Sequence, residues 1–487
     1  MSEIKNVNVF SLLESAAKDE PDSVFFNFEG DTVTYKEGFD KTRICAQHLI
    51  SRGVKKGDRV ILCLQNTPDF VYSYLAISQI GAVSVLVGPV ARRFEIEYIV
   101  SHSQPSLIIT SHTMLDNFTV DNSFFVDTDK FLLVDDSHKS RSLAGIIETG
   151  KPYEKSEAIT DDSAVSIIYT SAMDGFPLGV QLTHKGILAS TKVLAGFLNQ
   201  DDKCISVLPL FHAFGLTVTL IMPIQGRTPF TLVRKFNPQD LIPIMNNNDI
   251  TLMAGVPRMF LMVNAMVPPG KIFKKLRVCI SGGEGVSGDA LKEISEKYQF
   301  DIREGYGLTE ASPIVTWNHM NTENRYGSVG KAMDWNEIKI VDNKGKEVAV
   351  GTTGEVMVKG INVTSGYYDA PEKNKLYFDN GWLHTGDLGY LDKDGYLYLT
   401  GLKKEMILNS GFNVYPKEVE RILKKHPAVD DVKIEVKEDQ QPGDIVRHYI
   451  VAVINSSTGV TENELKIWCK DNISNYKIPR AFIIEKQ

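Results

Sequence analysis

Apolar runs that alternate with helix-like segments are the feature of this chain that most limits its fold. Residues 165–168 and 278–281 are nearly continuous apolar runs, which are typical of parallel sheets covered by helices on both faces. Thr34 and Glu37 form a capping-box pattern before a series of apolar positions, and Gly53 follows as a stop signal. The sequence therefore predicts an α/β fold class.

The length of the chain indicates more than one domain. With 487 residues, of which 43% are apolar, the chain exceeds the usual size of a single core. Short strands separated by turn residues at 337–401 predict an antiparallel meander or a small β-barrel-like part, and a helix pattern returns with Pro416 in its first turn. We expect a large N-terminal domain of two parallel-type sheets at 1–401 and a small, mobile α+β domain at 402–487.

Charge and cysteine content exclude several classes of partner. Lys and Arg number 53 and Asp and Glu number 61, so the net charge is 53 − 61 = −8, which disfavours nucleic acid and acidic membranes as partners. The five cysteines form no CxxC pair, so neither a zinc knuckle nor a disulfide framework is indicated. The first residues contain no apolar segment of the secretory type. We expect a cytoplasmic protein.

An uncharged stretch at 70–91 has two interpretations, a membrane span or a buried helix, turn and strand. Gln79, Gly81, Gly88 and Pro89 interrupt it, and these residues do not suit a helix that faces lipid. The buried interpretation is favoured, and no stable membrane span is expected.

A small-residue turn at 169–180 has the build of a phosphate-binding loop. Backbone N–H groups in such a turn can form a nest for an anion. The candidate nucleotide-binding residues of this turn are Thr170, Ser171, Gly175 and Gly179. The turn contains no lysine, and Asp174 adds negative charge where polyphosphate would lie.

Two further segments contain residue types that suit a nucleotide. Tyr306 stands between glycines, and Thr309 and Glu310 follow it. An aromatic ring can stack on a purine, and a carboxylate suits Mg²⁺. Asp387 lies in a Thr-Gly-Asp turn, where an ionised carboxylate can accept hydrogen bonds from vicinal hydroxyls. Taken alone, both segments fit ordinary turns with solvated carboxylates better.

Two other patterns leave alternatives open. Residues 283–288 match the GxGxxG fingerprint of a dinucleotide-binding fold, but that fold expects an acid at the end of its second strand, whereas Asp301 precedes the next predicted strand. His212 lies in an uncharged stretch at 204–225, where a lone histidine is more often a core residue than a catalyst.

Seven segments, in this order, resemble the core motifs of the acyl-adenylate-forming enzymes, which include acyl-CoA synthetases, adenylation domains and luciferases. The segments are 169–180, 209–215, 281–284, 305–310, 354–355, 384–387 and 401–420. The resemblance covers nearly the whole chain. It implies ATP or AMP, Mg²⁺ and coenzyme A as cofactors, and a small carboxylic acid as substrate.

The resemblance also implies roles for individual residues. At the nucleotide, it implies that Tyr306 packs on adenine, Thr309 contacts the α-phosphate, Glu310 holds Mg²⁺ as the metal ligand, and Asp387 binds ribose, with Gly283, Glu284 and Gly305 nearby. In the acyl and CoA pocket, it implies His212, Phe214, Gly282, Ser312, Ser410 and Gly411. Lys404 matches the hinge of the small domain, and its alternative is a solvated lysine in a charged turn.

The chain departs from the family pattern at its positive charges. In the family, two lysines usually follow the positions of Thr170 and Ser171, and arginine usually stands at the position of Leu402. Lys403 or Lys404 are candidates to replace that arginine, without its bidentate geometry. The sequence also stops before the position of the family's adenylation lysine, so either the sequence ends early or the protein lacks the residue.

These features predict an AMP-forming acyl-CoA synthetase for a fatty or aromatic acid. The 209–215 segment contains no Asp, which counts against an amino-acid substrate. The alternative is an impaired relative that binds AMP, acyl-adenylate or acyl-CoA as a sensor, or that acts only in the thioester half-reaction. Attack of a carboxylate on a triphosphate needs neutralisation of the negative charge. This requirement separates the two candidate functions, because the synthetase carries out that step and the impaired relative does not.

Overall fold

The computed structural model describes residues 8–120, 123–136, 142–155, 159–170, 176–268, 273–402, 407–409, 412–441 and 445–485. In these ranges the α-helices are Val9–Asp19 (α1), Tyr35–Ser51 (α2), Pro68–Gln79 (α3), Arg93–Ser103 (α4), Leu143–Thr149 (α5), His184–Ala195 (α6), Met222–Gln225 (α7), Pro238–Asn247 (α8), Pro257–Met266 (α9), Gly288–Tyr298 (α10), Pro371–Tyr377 (α11), Pro416–Leu423 (α12) and Glu462–Asn472 (α13). Helix α2 begins with the predicted capping box, in which Thr34 and Glu37 each accept the other's backbone N–H.

The strands of the same ranges are Val24–Phe28 (β1), Asp31–Thr34 (β2), Arg59–Leu62 (β3), Val83–Leu86 (β4), Leu107–Thr110 (β5), Thr119–Val120 (β6), Ser123–Phe124 (β7), Phe131–Leu133 (β8), Ala164–Thr170 (β9), Leu178–Thr183 (β10), Cys204–Ser206 (β11), Phe230–Leu232 (β12), Leu252–Gly255 (β13), Val278–Ser281 (β14), Asp301–Tyr306 (β15), Thr316–Trp317 (β16), Lys331–Ala332 (β17), Asn336–Val341 (β18), Gly354–Gly360 (β19), Phe378–Asp379 (β20), Trp382–Leu391 (β21), Leu397–Leu402 (β22), Ile407–Asn409 (β23), Phe412–Val414 (β24), Asp431–Gln441 (β25), Ile445–Asn455 (β26) and Ala481–Glu485 (β27).

Two large sheets confirm the predicted α/β fold class. The larger sheet has the order β17-β16-β15-β14-β13-β11-β12-β1-β2, and its central pairs from β15 to β1 are parallel. The other sheet has the order β10-β9-β4-β3-β5-β8 and is parallel except for the pair β9–β10. The fully buried strands β4, β5, β13 and β14 are those expected of sheets covered on both faces.

The segment at 337–401, in which turn residues separate the predicted short strands, corresponds to a separate antiparallel sheet. Strands β18, β19, β21 and β20 follow one another in it, and β22 pairs with β21. Strands β18, β19 and β22 lie in the part of the chain where turn residues predicted short strands. Turn residues therefore located this part of the fold correctly.

The C-terminal region, meaning the described residues 407–485, has its own apolar cluster. Val419, Ile422 and Leu423 of α12 and Leu465 of α13 are buried in it, against the sheet β25-β26-β27. Pro416 occupies the first turn of α12, as predicted. The cluster supports a two-domain architecture, while the boundary between residues 401 and 402 stays a prediction.

The uncharged stretch at 70–91 forms a buried helix, a turn and a strand, and not a single membrane-spanning helix. Helix α3 is buried from Phe70 to Gln79, and β4 follows it in the centre of the smaller α/β sheet. Within the described ranges, no helix combines the length and apolarity needed to cross a bilayer. All five cysteines are buried and free.

We expect truncation at the aromatic centre of the larger sheet to lower stability strongly. Phe230 is 1% exposed and its ring packs 5.5 Å from Phe26 and 5.6 Å from Phe25. Phe230→Ala should cost about 3–5 kcal/mol, because neighbouring side chains only partly fill the cavity. Thermal denaturation checks this, with Leu376→Ala at a 61% exposed position as control. Equal midpoints for the two variants would contradict the packing described.

Candidate nucleotide and acyl site

Two adjoining cavities collect most of the predicted site residues that the structure describes. Cavity A has a volume of about 540 Å³ and cavity B of about 640 Å³. The predicted residues lining cavity A are Thr170, His212, Gly283, Glu284, Gly305, Tyr306, Thr309, Glu310 and Asp387. Those lining cavity B are His212, Phe214, Gly282, Gly283, Gly305, Tyr306 and Thr309. The shared residues join the two cavities into one continuous site.

Parallel strand ends position the wall between the cavities. Strands β14 and β15 are in register, with Ser281 opposite Glu304. The residues that follow these two positions, Gly282 and Gly305, therefore emerge at the same edge of the sheet. Ligand sites of open α/β sheets lie at this carboxyl edge.

The glycine after Tyr306 is required by a close backbone approach. A Cβ added at Gly307 would lie 1.5 Å from the carbonyl oxygen of Pro313. Any side chain there would push the 313 backbone away from the cavity wall. The glycine pattern around Tyr306 thus has a packing cause as well as its predicted role near a nucleotide.

The structure brings the predicted purine and ribose residues into direct contact. The Tyr306 hydroxyl donates a hydrogen bond to Asp387 Oδ2. Burial, together with the nearby Asp387 carboxylate, holds the pKa of Tyr306 well above its usual range. Asp387 is itself oriented by its backbone N–H, which donates to Thr385 Oγ1 at 3.0 Å. A phenol ring and an oriented carboxylate therefore face cavity A together.

Thr309 and Glu310 begin a short 3₁₀ turn, Thr309–Ala311, which lines the same cavity. Thr309 is 9% exposed, and Glu310 Oε1 accepts a hydrogen bond of 3.0 Å from the Tyr367 hydroxyl. In the part of the chain that the structure describes, no group of three His, Cys, Asp or Glu side chains could hold a metal ion. The assignment of Glu310 as a metal ligand stays a prediction.

Cavity A is rich in carboxylates. Its acidic lining residues are Glu95, Glu284, Glu304, Glu310 and Asp387. Among the described lining residues, Lys477 is the one lysine or arginine. Leu402 and Leu178 also line it, and both stand in segments where the family resemblance leads one to expect cations. The predicted shortage of positive charge is thus present in the described wall of the cavity.

Burial shifts one of these carboxyl groups towards neutrality. Glu304 is 8% exposed, and its Oε2 accepts a hydrogen bond of 2.9 Å from the backbone of Gly327. Removal from water raises the pKa of Glu304 to about 7. The Glu304 carboxyl can consequently hold a proton near neutral pH.

Cavity B is mainly apolar. Phe214, Val207, Met259 and Trp317 are among its lining residues. None of the described residues that line it is Asp or Glu. His212 stands where the two cavities meet, and burial lowers the pKa of its imidazole. This environment suits an apolar chain or ring and favours a neutral His212.

Two predicted site residues lie in described parts of the chain but line neither cavity. Gly179 lies within β10, where an added Cβ would come 2.9 Å from Ile167, and Ser312 is 1% exposed and lies beside Gly186 of α6. Their assignments to nucleotide and acyl binding stay predictions. Other predicted residues lie outside the described residues: Ser171, Gly175, Lys404, Ser410 and Gly411.

The sequence reasoning missed an ion cluster at the wall of cavity A. Lys477 Nζ lies 2.5 Å from Glu95 Oε1 and 2.8 Å from Glu418 Oε1. Lys477 lies near the C-terminal end of the described residues, and Glu95 is 382 positions away from it. Local pattern contains no signal for such a pairing, so only the folded chain reveals it.

The sequence pattern of the AMP-binding enzyme family matches residues 13–368. A 2-succinylbenzoate–CoA ligase of Bacillus velezensis is 32% identical, covering 95% of this chain and 91% of the relative. A long-chain-fatty-acid–CoA ligase of Bacillus subtilis is 28% identical, covering 99% of this chain and 92% of the relative. The chain belongs to the AMP-binding enzyme family, which confirms the resemblance of its motifs to adenylate-forming enzymes. This membership counts against the dinucleotide-binding interpretation of residues 283–288.

Solved structures agree with this assignment. A double mutant of o-succinylbenzoate CoA synthetase from Bacillus subtilis, bound with its product analogue OSB-NCoA, has a TM-score of 0.85 at 26% identity, covering 99% of this chain and 95% of that chain. The same synthetase in complex with ATP and magnesium ion has a TM-score of 0.72 at 27% identity, covering 97% and 95%. The structure of this chain is thus more similar to the product-analogue complex.

The raised pKa of Glu304 predicts a pH dependence of stability. Between the ordinary value of 4.5 and about 7, the unfolded chain releases this proton while the folded chain keeps it. Folding stability from this group therefore falls as pH rises through that window, by about 3 kcal/mol in total. We expect Glu304→Gln to gain stability relative to the wild type between pH 5 and pH 8.

Thermal midpoints measured across that range check the Glu304 prediction. Glu337→Gln, at an exposed position, is the control and should keep a constant offset from the wild type. A constant offset for Glu304→Gln as well would contradict a buried carboxyl with a raised pKa.

Proposed function

We propose that this protein is an ATP-dependent acyl-CoA synthetase. It joins a fatty or aromatic carboxylic acid to CoA, and forms AMP and pyrophosphate through an acyl-adenylate. The observation that carries the proposal is the continuity of the two cavities, because the predicted nucleotide residues and an apolar pocket share one wall at His212, Gly283 and Tyr306. Membership of the AMP-binding enzyme family and the CoA-ligase relatives support the same reaction class.

The nucleoside end of cavity A suits AMP. The Tyr306 ring offers an aromatic face for a purine, and Asp387 is an acceptor for ribose hydroxyls. The hydrogen bond between them holds both groups at the cavity wall. Thr309 supplies a hydroxyl near the position proposed for the α-phosphate.

Two bond changes would follow in this site. In the first, a carboxylate oxygen attacks the α-phosphorus, and the bond from that phosphorus to pyrophosphate breaks. In the second, the CoA thiol attacks the acyl carbonyl, loses its proton, and AMP leaves. Glu310 fits a role as Mg²⁺ ligand through its oxygen donors, and bound Mg²⁺ supplies neutralisation of phosphate charge.

The acyl group is proposed to occupy cavity B. Its walls are mainly apolar, and the described lining residues include no carboxylate to pair with a substrate amine. This composition supports a fatty or aromatic acid over an amino acid. His212 and Phe214 would border the carbon chain or ring next to the reacting carboxylate.

The acidic character of cavity A favours a second candidate. Five carboxylates and one lysine line its described wall. Their repulsion of a triphosphate in a cavity of low dielectric constant is large unless cations are added. A relative that binds AMP or acyl-adenylate, and acts only in the thioester half-reaction, needs less positive charge than an enzyme that uses ATP.

The arrangement of the two parts of the chain bears on the second step. Because this structure is more similar to the product-analogue complex of o-succinylbenzoate CoA synthetase than to its ATP complex, we infer that it has the arrangement used for thioester formation. Lys404 would then be the hinge, and Ser410 and Gly411 would border the pantetheine channel. These assignments rest on the family resemblance alone.

Loss of the aromatic ring should weaken AMP binding. Tyr306→Ala removes the proposed stacking face, and base–aromatic stacking is worth about 1–3 kcal/mol, so the Kd for AMP should rise roughly tenfold or more. Isothermal calorimetry with AMP measures it. Tyr390→Ala, on the same strand as Asp387, is the control, since its ring stacks on Tyr398 instead. An unchanged Kd for Tyr306→Ala would remove the ring from the nucleotide site.

Pyrophosphate release separates the two candidate functions. The assay contains ATP, Mg²⁺, CoA and one acid from a panel: octanoate, laurate, palmitate, 4-coumarate or 2-succinylbenzoate. The synthetase proposal predicts release with at least one acid, and a drop of roughly 10²-fold or more in Glu310→Ala. Glu372→Ala, at an exposed position, should behave as the wild type.

Two results would count against the synthetase proposal. No release with any acid, alongside measurable AMP binding, would favour the second candidate. Undiminished release in Glu310→Ala would reject the proposed Mg²⁺ role.

A further inference from the structure

A buried ion cluster joins the N-terminal part of the chain to its C-terminal region. Glu95 comes from α4, Glu418 from α12, and Lys477 from the turn Asn475–Lys477 near the end of the chain. The three side chains are 7%, 1% and 5% exposed. The cluster lies at the wall of cavity A, beside Tyr476 and Ser474.

The Glu95 carboxylate is held mainly by donors from the other part of the chain. Its Oε1 accepts from Lys477 Nζ at 2.5 Å, and its Oε2 accepts from the backbone N–H of Ser474 at 3.2 Å and from the Ser474 hydroxyl. One local donor, the backbone N–H of Arg92, completes the set at 2.9 Å. Separation of the two parts would remove every donor except the local one.

The charges are stable only while the cluster is intact. Burial alone would lower the pKa of Lys477, but Glu418 and Glu95 hold it well above its usual range. Burial alone would raise the pKa of Glu95, but Lys477 and Ser474 bring it below its usual range. Removal of one member of a buried pair leaves an uncompensated charge, which is strongly unfavourable.

Lys477 is a poor candidate for contact with phosphate, although it is the one described lysine at the wall of cavity A. Two carboxylates lie within 2.8 Å of its amine. Its positive charge is therefore already neutralised. A structural use of that charge, between the two parts, agrees better with the geometry.

Contacts beside the cluster fix the same junction. The rings of Phe94 and Trp468 are 5.7 Å apart, and Lys425 Nζ lies 4.0 Å over the Phe94 ring. Ser474 Oγ also lies 3.1 Å from the backbone oxygen of Val90. The junction therefore has one defined geometry, in which α4 contacts the C-terminal region through both polar and aromatic groups.

We propose that Lys477 is a positioning residue for the thioester step, because its ion pairs to Glu95 and Glu418 hold the C-terminal region in the arrangement seen here. This inference rests on the proposed function. The arrangement is more similar to the product-analogue complex of the synthetase than to its ATP complex, with TM-scores of 0.85 and 0.72. Adenylation is not expected to depend on these ion pairs.

The test measures the two half-reactions separately, with the best acid of the panel. Adenylation is followed as ATP–pyrophosphate exchange without CoA, and thioester formation by mixing the synthetic acyl-adenylate of the same acid with CoA. In Lys477→Met the rate of thioester formation should fall by about tenfold or more. The rate of ATP–pyrophosphate exchange should stay within about twofold of the wild-type rate. Lys466→Met is the control, because Lys466 forms an exposed ion pair with Glu462 in the same region.

A second variant guards against a simple folding defect. Glu95→Gln keeps the size of the side chain and removes its charge, and it should show the same selective loss. Because the two residues act through one contact, the double variant should be no slower in thioester formation than Lys477→Met alone. Equal loss in both half-reactions, or additive losses in the double variant, would overturn the proposal.

Hydrogen exchange provides a readout that needs no turnover. Lys477→Met should raise the exchange rates of α4 and of residues 473–478, and leave the strands β13, β14 and β15 unchanged. An unaltered rate of hydrogen exchange at α4 in Lys477→Met would overturn the proposal even if no acid of the panel reacts. Failure of the proposed function is distinct, since the wild type would then release no pyrophosphate with any acid of the panel, and the hydrogen-exchange comparison does not depend on that release.

Discussion

The parallel register of β13, β14 and β15 is the constraint on which the candidate site depends. Parallel strands bring their carboxyl ends to one edge, so the backbone after Ser281 and the backbone after Glu304 form one wall. Gly307 allows the chain to return past Pro313 without a side chain in between. Backbone packing thus places the Tyr306 segment at the cavity wall, and the hydrogen bond to Asp387 orients its side chain there.

Electrostatics is the second constraint, because several carboxyl groups share one cavity. The fold reduces their repulsion in two ways. The Glu304 carboxyl has a pKa of about 7 through burial, so it can be neutral. Glu95 and Glu418 instead share the charge of Lys477. The first solution depends on pH and the second on the relative position of two parts of the chain, so they respond to different conditions.

Sequence patterns correctly predicted the structural features that depend on interactions between near neighbours in the chain. The capping box at Thr34 and the buried run that forms β14 depend on near neighbours, and both are present. The residue types of two short motifs, together with the family resemblance, also selected Tyr306 and Asp387, which meet in cavity A. Their hydrogen bond joins positions 81 apart, and the contact of Lys477 with Glu95 joins positions 382 apart.

Such distant contacts depend on how finished sheets and helices dock. No periodicity or turn pattern encodes docking, because each local segment is stable in many relative placements. The family resemblance supplied the residues around the nucleotide, since those motifs are contiguous in sequence. It supplied nothing about α4, whose residue Glu95 lies in none of the motifs and yet lines cavity A.

The separation of nucleoside binding from phosphate handling follows from the same geometry. The stacking proposed for Tyr306 and the hydrogen bonding proposed for Asp387 need an oriented ring and an acceptor, which strands β15 and β21 provide without any cation. A triphosphate needs positive charge close to each phosphoryl group. Lys477 does not provide it, since both of its carboxylate partners lie within 2.8 Å. In the proposed function, charge for the phosphates would come from bound Mg²⁺ or from cations beyond the described wall of cavity A.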